Sequence, residues 1–272
     1  MLPTIKLGNT EITRLLMGGN IISGNSHVSP EMDRDMREFY TMPRIQEAFE
    51  TCEENGINTV QLRADAHIVR AMIEHRVNGG KLQWIAQTAS EYASLEYNMR
   101  LAERAAPVAI YFHGSKVDNL YQNGDIRGIK DGLKTLRMLG IPVGLCSHIP
   151  EVILRAEEEE WGADWYMASV YNIMKLGHIS SAITGKFSTD ETFDEADRGL
   201  MFDAIRKVQK PCMAFKVLGA TRRCTTDADR EDAIRETYEK IKPTDGCIIG
   251  FFQKYSDQIT QVAQFVKGLL NG

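Results

Sequence analysis

The run Ala105-Ala-Pro-Val-Ala-Ile-Tyr-Phe-His113 decides how the chain is read. Its apolar stretch is short and rich in β-branched and aromatic residues, and a proline precedes it. That pattern predicts a strand over 108–112 with both faces covered. The run ends on an imidazole, and Gly114-Ser115-Lys116 reads as the loop that follows. In parallel α/β barrels the C-terminal lip of a strand is where ionisable groups do chemistry. His113 is therefore the first candidate site residue.

Seven more apolar runs of this kind are found on either side, at 14–17, 59–62, 83–86, 143–146, 165–170, 213–217 and 246–249. Amphipathic helical patterns separate them, at 44–55, 66–77, 95–104, 128–139, 150–160, 195–207, 227–240 and 256–270. In the last pattern Ile259, Val262, Phe265, Val266 and Leu269 fall on one face. Short strands alternating with helices predict a parallel sheet covered on both sides. Eight such units predict closure into a single (β/α)8 TIM barrel, one domain over residues 1–272. A hairpin is expected before it, at 5–12. Gly56-Ile-Asn58 and Gly140-Ile-Pro142 look like helix stops that lead into strands. Two segments exceed ordinary loop length, 18–43 and 172–194. Both follow strand C-termini, so each reads as a lid or as an insertion.

The net charge of −5 gives no reason to expect nucleic acid or an anionic membrane as partner. No apolar run is long enough to span a bilayer, and the first residues lack the apolar core of a signal peptide. The five cysteines, Cys52, Cys146, Cys212, Cys224 and Cys247, are odd in number and widely spaced. They read as free thiols in a reducing compartment, which points to the cytoplasm. The expected partner is a small-molecule substrate.

Several stretches resemble the aldo/keto reductases, in the right order nearly end to end. They are Ile5-Lys-Leu-Gly-Asn-Thr-Glu-Ile-Thr-Arg-Leu-Leu-Met-Gly-Gly19, Glu54-Asn-Gly-Ile-Asn58, Ala109-Ile-Tyr-Phe-His113, Ser169-Val-Tyr-Asn172 and Ile248-Ile-Gly-Phe251 with Ser256-Asp-Gln-Ile259. The resemblance implies a barrel floored by a hairpin and a carbonyl reductase working through Asp, Tyr, Lys and His. Only His113 matches that tetrad. Gln61 stands for the Asp, Ala66 or His67 for the Tyr, and Gln87 or Thr88 for the Lys. A glutamine hydrogen-bonds but does not titrate. The resemblance also implies an NAD(P) cofactor. Its amide clamp is replaced by Cys146, Ser147 and Ala168. Phe215 is placed to stack on a nicotinamide, but Lys216 follows where a small residue is usual. After Gly250 the basic Lys254 stands alone. These departures argue against tight NADPH binding.

The strand ends gather a set of polar residues at one mouth: Gln61, Arg63, Gln87, His113, His148, Tyr171, Asn172 and Lys216. The catalytic candidates are His113, His148, Lys216, Gln61 and Gln87. Arg63, Tyr171 and Asn172 are substrate-binding candidates, and Phe215 and Gly250 are cofactor candidates. His113 and His148 end neighbouring strands. They read either as an acid–base pair or as two ligands of a divalent metal, with Asp33, Glu38 or Asp65 as a third. The blander reading has Gln61 and Gln87 satisfying each other and His148 capping the helix near Pro150. Lys216 ends an apolar run and needs water, a partner or a perturbed pKa. Three functions remain. The first is acid–base proton transfer on a small polar hydroxy- or keto-substrate, such as a sugar derivative. The others are an NAD(P)-dependent oxidoreductase with a relocated proton donor and a non-catalytic ligand-binding barrel.

Overall fold

A computed structural model describes residues 1–175, 184, 187, 188 and 190–272. Strands β1 (Thr4–Leu7) and β2 (Thr10–Thr13) form an antiparallel N-terminal hairpin. Eight parallel strands follow: β3 (Leu15–Gly18), β4 (Thr59–Arg63), β5 (Gln83–Gln87), β6 (Ala109–Phe112), β7 (Val143–Ser147), β8 (Trp165–Ser169), β9 (Cys212–Phe215) and β10 (Gly246–Gly250). They close into a barrel in sequence order, with β10 paired to both β9 and β3. This is the closed barrel with an N-terminal hairpin that the eight apolar runs predict.

Strand periodicity divides the apolar residues into two layers. Leu16, Ile85, Ala109, Tyr111, Trp165, Met167, Met213 and Ile248 fill the barrel interior, and Ile5, Leu7 and Ile12 of the hairpin plug it from below. The alternate residues, including Val60, Leu62, Trp84, Ile110 and Leu145, face the helices and form the larger outer core. The floor is thus packed and apolar, which leaves the C-terminal mouth for polar groups.

The described helices are α1 (Pro30–Phe39), α2 (Met42–Glu54), α3 (Ala66–Val77), α4 (Leu95–Glu103), α5 (Gly114–Gln122), α6 (Ile126–Leu136), α7 (Pro150–Glu158), α8 (Glu195–Lys207), α9 (Asp227–Lys240) and α10 (Gln258–Asn271). Two of them correct the sequence reading. The first long segment contains α1, started by the Ser29 hydroxyl accepting from Met32 N–H, with Pro30 in the first turn. Gly114-Ser115-Lys116 is not a loop but the first turn of α5, directly after His113. Neither helix is long, and their apolar faces are narrow. None of the described helices is long and apolar enough to cross a membrane. Of the second long segment, residues 176–183, 185, 186 and 189 lie outside the described residues.

Strand β9 also ends earlier than its apolar run. Met213 and Phe215 belong with the interior, so a continuing strand would turn residue 216 outward. Instead Lys216 has φ +60, and its carbonyl accepts from Gly219 N–H. This left-handed turn breaks the period of two and brings the lysine to the mouth.

Candidate functional site

His148 follows β7 and is almost fully buried. Its Nδ1 lies 2.7 Å from Asp118 Oδ2 on α5, and its own backbone N–H donates to the same oxygen at 3.1 Å. The second Asp118 oxygen accepts from the Ser147 hydroxyl at 2.5 Å. A carboxylate that only accepts requires Nδ1 to carry the proton. The carboxylate therefore sets the tautomer and ring angle of a neutral His148, with Nε2 as its acceptor nitrogen. The helix cap is Ile149, so the imidazole is not used as one.

Lys216 meets an imidazole rather than a carboxylate. Its Nζ lies 2.8 Å from His27 Nε2, which also accepts from Asn20 at 3.3 Å. His27 Nδ1 in turn lies 2.6 Å from Glu191 Oε2. A neutral His27 donates to Glu191 through Nδ1 and accepts from the ammonium through Nε2. Burial, and next the charge of Lys216, hold the His27 pKa below its ordinary value, although Glu191 opposes this. Burial brings Lys216 down to about 8, with Glu191 opposing and Arg222 assisting. Phe193 lies close by, its ring 5.8 Å from the lysine nitrogen and 4.0 Å from the Arg222 guanidinium. The two long segments thus meet over the mouth through the His27–Glu191 pair. His27 itself has φ 58, a second left-handed residue at this contact.

His113 hydrogen-bonds Ser90 through Nδ1 at 2.6 Å, and its N–H donates to Thr88 Oγ1 at 2.9 Å. Burial lowers its pKa to about 3, helped electrostatically by Arg63, His148 and Lys216. It is therefore a neutral hydrogen-bonding group at any ordinary pH and not a base. Arg63, His148 and Lys216 thus all lie near enough to His113 to act on it. Phe215 sets its ring edge-on to His148, with centroids 5.6 Å apart. Gly114 leaves room there, since a Cβ would come within 2.7 Å of Cys146 Sγ and 3.1 Å of the His148 ring. Cys146 is buried, and its thiol is pushed well above the normal range, so it is no nucleophile.

Beneath this group Gln61, Gln87 and Tyr111 bond one another. The Tyr111 hydroxyl donates to Gln87 Oε1 at 2.7 Å, and Gln61 Nε2 donates to Tyr111 at 2.7 Å and to Gln87 at 3.2 Å. They form a satisfied polar layer under the mouth. Arg63 stands at the rim, paired with Glu91. Ala66 and His67 open α3. Tyr171 is turned toward α8, where its hydroxyl donates to Glu195 beneath the buried Arg198. Asn172 is used in a turn, its amide oxygen accepting from Met174 N–H. Gly250 packs on Ile21, which a Cβ would meet at 2.9 Å.

The residues that sequence reading leaves out are His27, Glu191, Asp118 and Ser90. Three of them lie in loops and one inside a helix, and no local pattern marks them. The two long segments were the one signal for His27 and Glu191.

Neither a metal nor a nicotinamide is suited by these residues. Among the described residues no group of three or more His, Cys, Asp or Glu side chains is placed to hold a metal ion. Asp65 caps α3, and Asp33 accepts from Ser26. At the amide-clamp positions Ser147 is bound to Asp118, Ala168 has no polar side-chain atom, and the Cys146 thiol is buried.

The fold defines the chain as a parallel eight-stranded α/β barrel with a polar mouth. No protein-family model and no curated protein matches it. Similar solved structures include a truncated 3-deoxy-D-arabino-heptulosonate 7-phosphate synthase from Thermotoga maritima, 11% identical with a TM-score of 0.59, covering 99% of this chain and 91% of that one. An aldo-keto reductase from Bacillus halodurans in its holo form is 10% identical with the same TM-score, over 99% and 96% of the two chains. A 3-hexulose-6-phosphate synthase from Salmonella typhimurium is 12% identical, with a TM-score of 0.50 over 85% and 93%. Reductase and synthases resemble it alike, so the likeness is one of fold.

Proposed function

We propose that the protein is a barrel enzyme, akin to the aldo/keto reductases but changed in chemistry, that moves a proton on a small polar hydroxy- or keto-substrate. The observation that carries this reading is the Asp118–His148 pair, an oriented imidazole whose Nε2 is left for chemistry. His148 Nε2 takes the proton from the carbon beside the substrate carbonyl. Lys216, on the same mouth, meets the negative charge that develops on the carbonyl oxygen. His113, neutral through Nδ1 and Ser90, orients a substrate hydroxyl. The proton returns from His148 to the same or the neighbouring carbon, so no redox cofactor takes part.

The substrate is a small molecule with several hydroxyls, such as a sugar derivative, which the polar lining of Arg63, His113 and Lys216 suits. Nucleic acid and membrane are not its partners, in keeping with the net charge of −5. Five unpaired cysteines favour a cytoplasmic location.

The test is proton exchange in D2O, followed by NMR, with dihydroxyacetone, glycolaldehyde and pyruvate as probes. Deuterium should enter the carbon beside the carbonyl of at least one probe faster than in buffer. His148→Gln, which cannot transfer the proton, should return the rate to background. Exchange that persists in His148→Gln would remove the assignment.

A further inference from the structure

Resting on the proton-transfer reading, and carrying the role of Lys216 one step further, we propose that Lys216 is a covalent catalyst. Its amine, activated by His27 and Glu191, forms an iminium with the carbonyl carbon of a small hydroxy-aldehyde or hydroxy-ketone.

The choice of partner is the first argument. A lysine that needed only charge balance would sit against a carboxylate. Here the contact at 2.8 Å is the imidazole of His27, and the carboxylate of Glu191 stands behind it. An imidazole held this way can take a proton from the ammonium, whereas a directly bound carboxylate would hold the proton on the lysine. The wall is the second argument. Phe193 lies beside the amine and carries a second cation, Arg222, on its face. Desolvation and a neighbouring cation are the two general means of freeing a lysine amine for attack on a carbonyl. The backbone is the third. Both Lys216 and His27 are held with positive φ, and for Lys216 this turns the side chain from the strand's outward face to the mouth.

The step balances without a co-reactant. The surplus lysine proton passes to His27. The amine lone pair attacks the carbonyl carbon, the C=O π pair moves to oxygen, and the proton now surplus on nitrogen passes to that oxygen to give a carbinolamine. Its hydroxyl takes the proton held by His27 and leaves as water while the nitrogen lone pair closes the C=N⁺ bond. The iminium draws electrons from the adjacent carbon, whose proton passes to His148, and hydrolysis later restores lysine and product. Nothing is oxidised or reduced.

The full-length protein, incubated separately with dihydroxyacetone, glycolaldehyde and pyruvate, is treated with sodium cyanoborohydride near neutral pH. The adducts are located by peptide mass spectrometry. A reduced adduct of at least one probe should fall on the peptide that carries Lys216 and vanish in Lys216→Arg and Lys216→Met. His27→Gln accepts a hydrogen bond but not the proton, so adduct formation should slow roughly tenfold near neutrality and recover at alkaline pH. A pH profile unchanged in His27→Gln would overturn the activation. Adducts spread over surface lysines without preference for Lys216 would overturn the proposal. No adduct while deuterium still exchanges would overturn it and leave proton transfer standing. Neither adduct nor exchange would remove both.

Discussion

Lys216 shows what the site costs the fold. An amine brought from its ordinary 10.5 to about 8 by burial destabilises the native state wherever it is protonated there. Between those two pH values the unfolded chain binds a proton that the folded chain does not, so stability rises with pH across that interval. Below about pH 8 the penalty is complete, on the order of 3–4 kcal/mol at about 1.4 kcal/mol for each tenfold change in the proton equilibrium. Lys216→Met should therefore stabilise the protein by that order at neutral pH. The gain should fade as the pH approaches 10.5, while proton exchange on the probes is lost. Urea denaturation at a series of pH values measures it. A variant destabilised at neutral pH would contradict the lysine's place in the mouth. At this scale sequence could reach only part of the site. His113, His148 and Lys216 end apolar runs, and that position is visible. Asp118, His27 and Glu191 are brought to them by a helix and two loops, and nothing in their neighbouring residues marks the contact. The left-handed turn at Lys216 is equally invisible, because non-glycine residues of that conformation carry no reliable signature.

At the scale of elements the strands were legible because each is a short apolar run between helical patterns. Their ends were less so. The run 213–217 crosses the point where β9 stops, since hydrophobicity continues into Val217, which packs in the outer core. Helix α5 was missed because Gly114-Ser115-Lys116 looks like a turn. Its first-turn glycine is better explained by the Cys146 and His148 side chains that it must clear. Strand β7 offers a test of the interior packing. A Cβ on Gly144 would lie 2.4 Å from the ring of Trp165, which is fully buried and stacks edge-on with Tyr111 at 5.6 Å. Gly144→Ala should cost about 1–3 kcal/mol, as overpacked cores do, and thermal unfolding would report it. A neutral result would mean that the barrel interior is looser than described.

For the whole molecule, closure puts the chemistry in reach. Order along the chain becomes order around the barrel, so β6, β7 and β9 deliver His113, His148 and Lys216 to one rim. That much followed from eight runs and the rule that strand C-termini gather on one face. The resemblance to aldo/keto reductases followed the same strands, and the comparisons support it as a likeness of barrel fold. The reaction proposed for the mouth depends on groups contributed from different elements, and the pairing of Asp118 on α5 with His148 after β7 is the central one. Deuterium incorporation into dihydroxyacetone, glycolaldehyde and pyruvate, compared between the wild-type protein and Asp118→Asn, tests it most directly. The asparagine keeps the volume of the carboxylate but no longer enforces the proton on Nδ1. The account predicts a rate reduced by roughly 10²–10⁴-fold with the fold intact. A rate equal to that of the wild-type protein would contradict it.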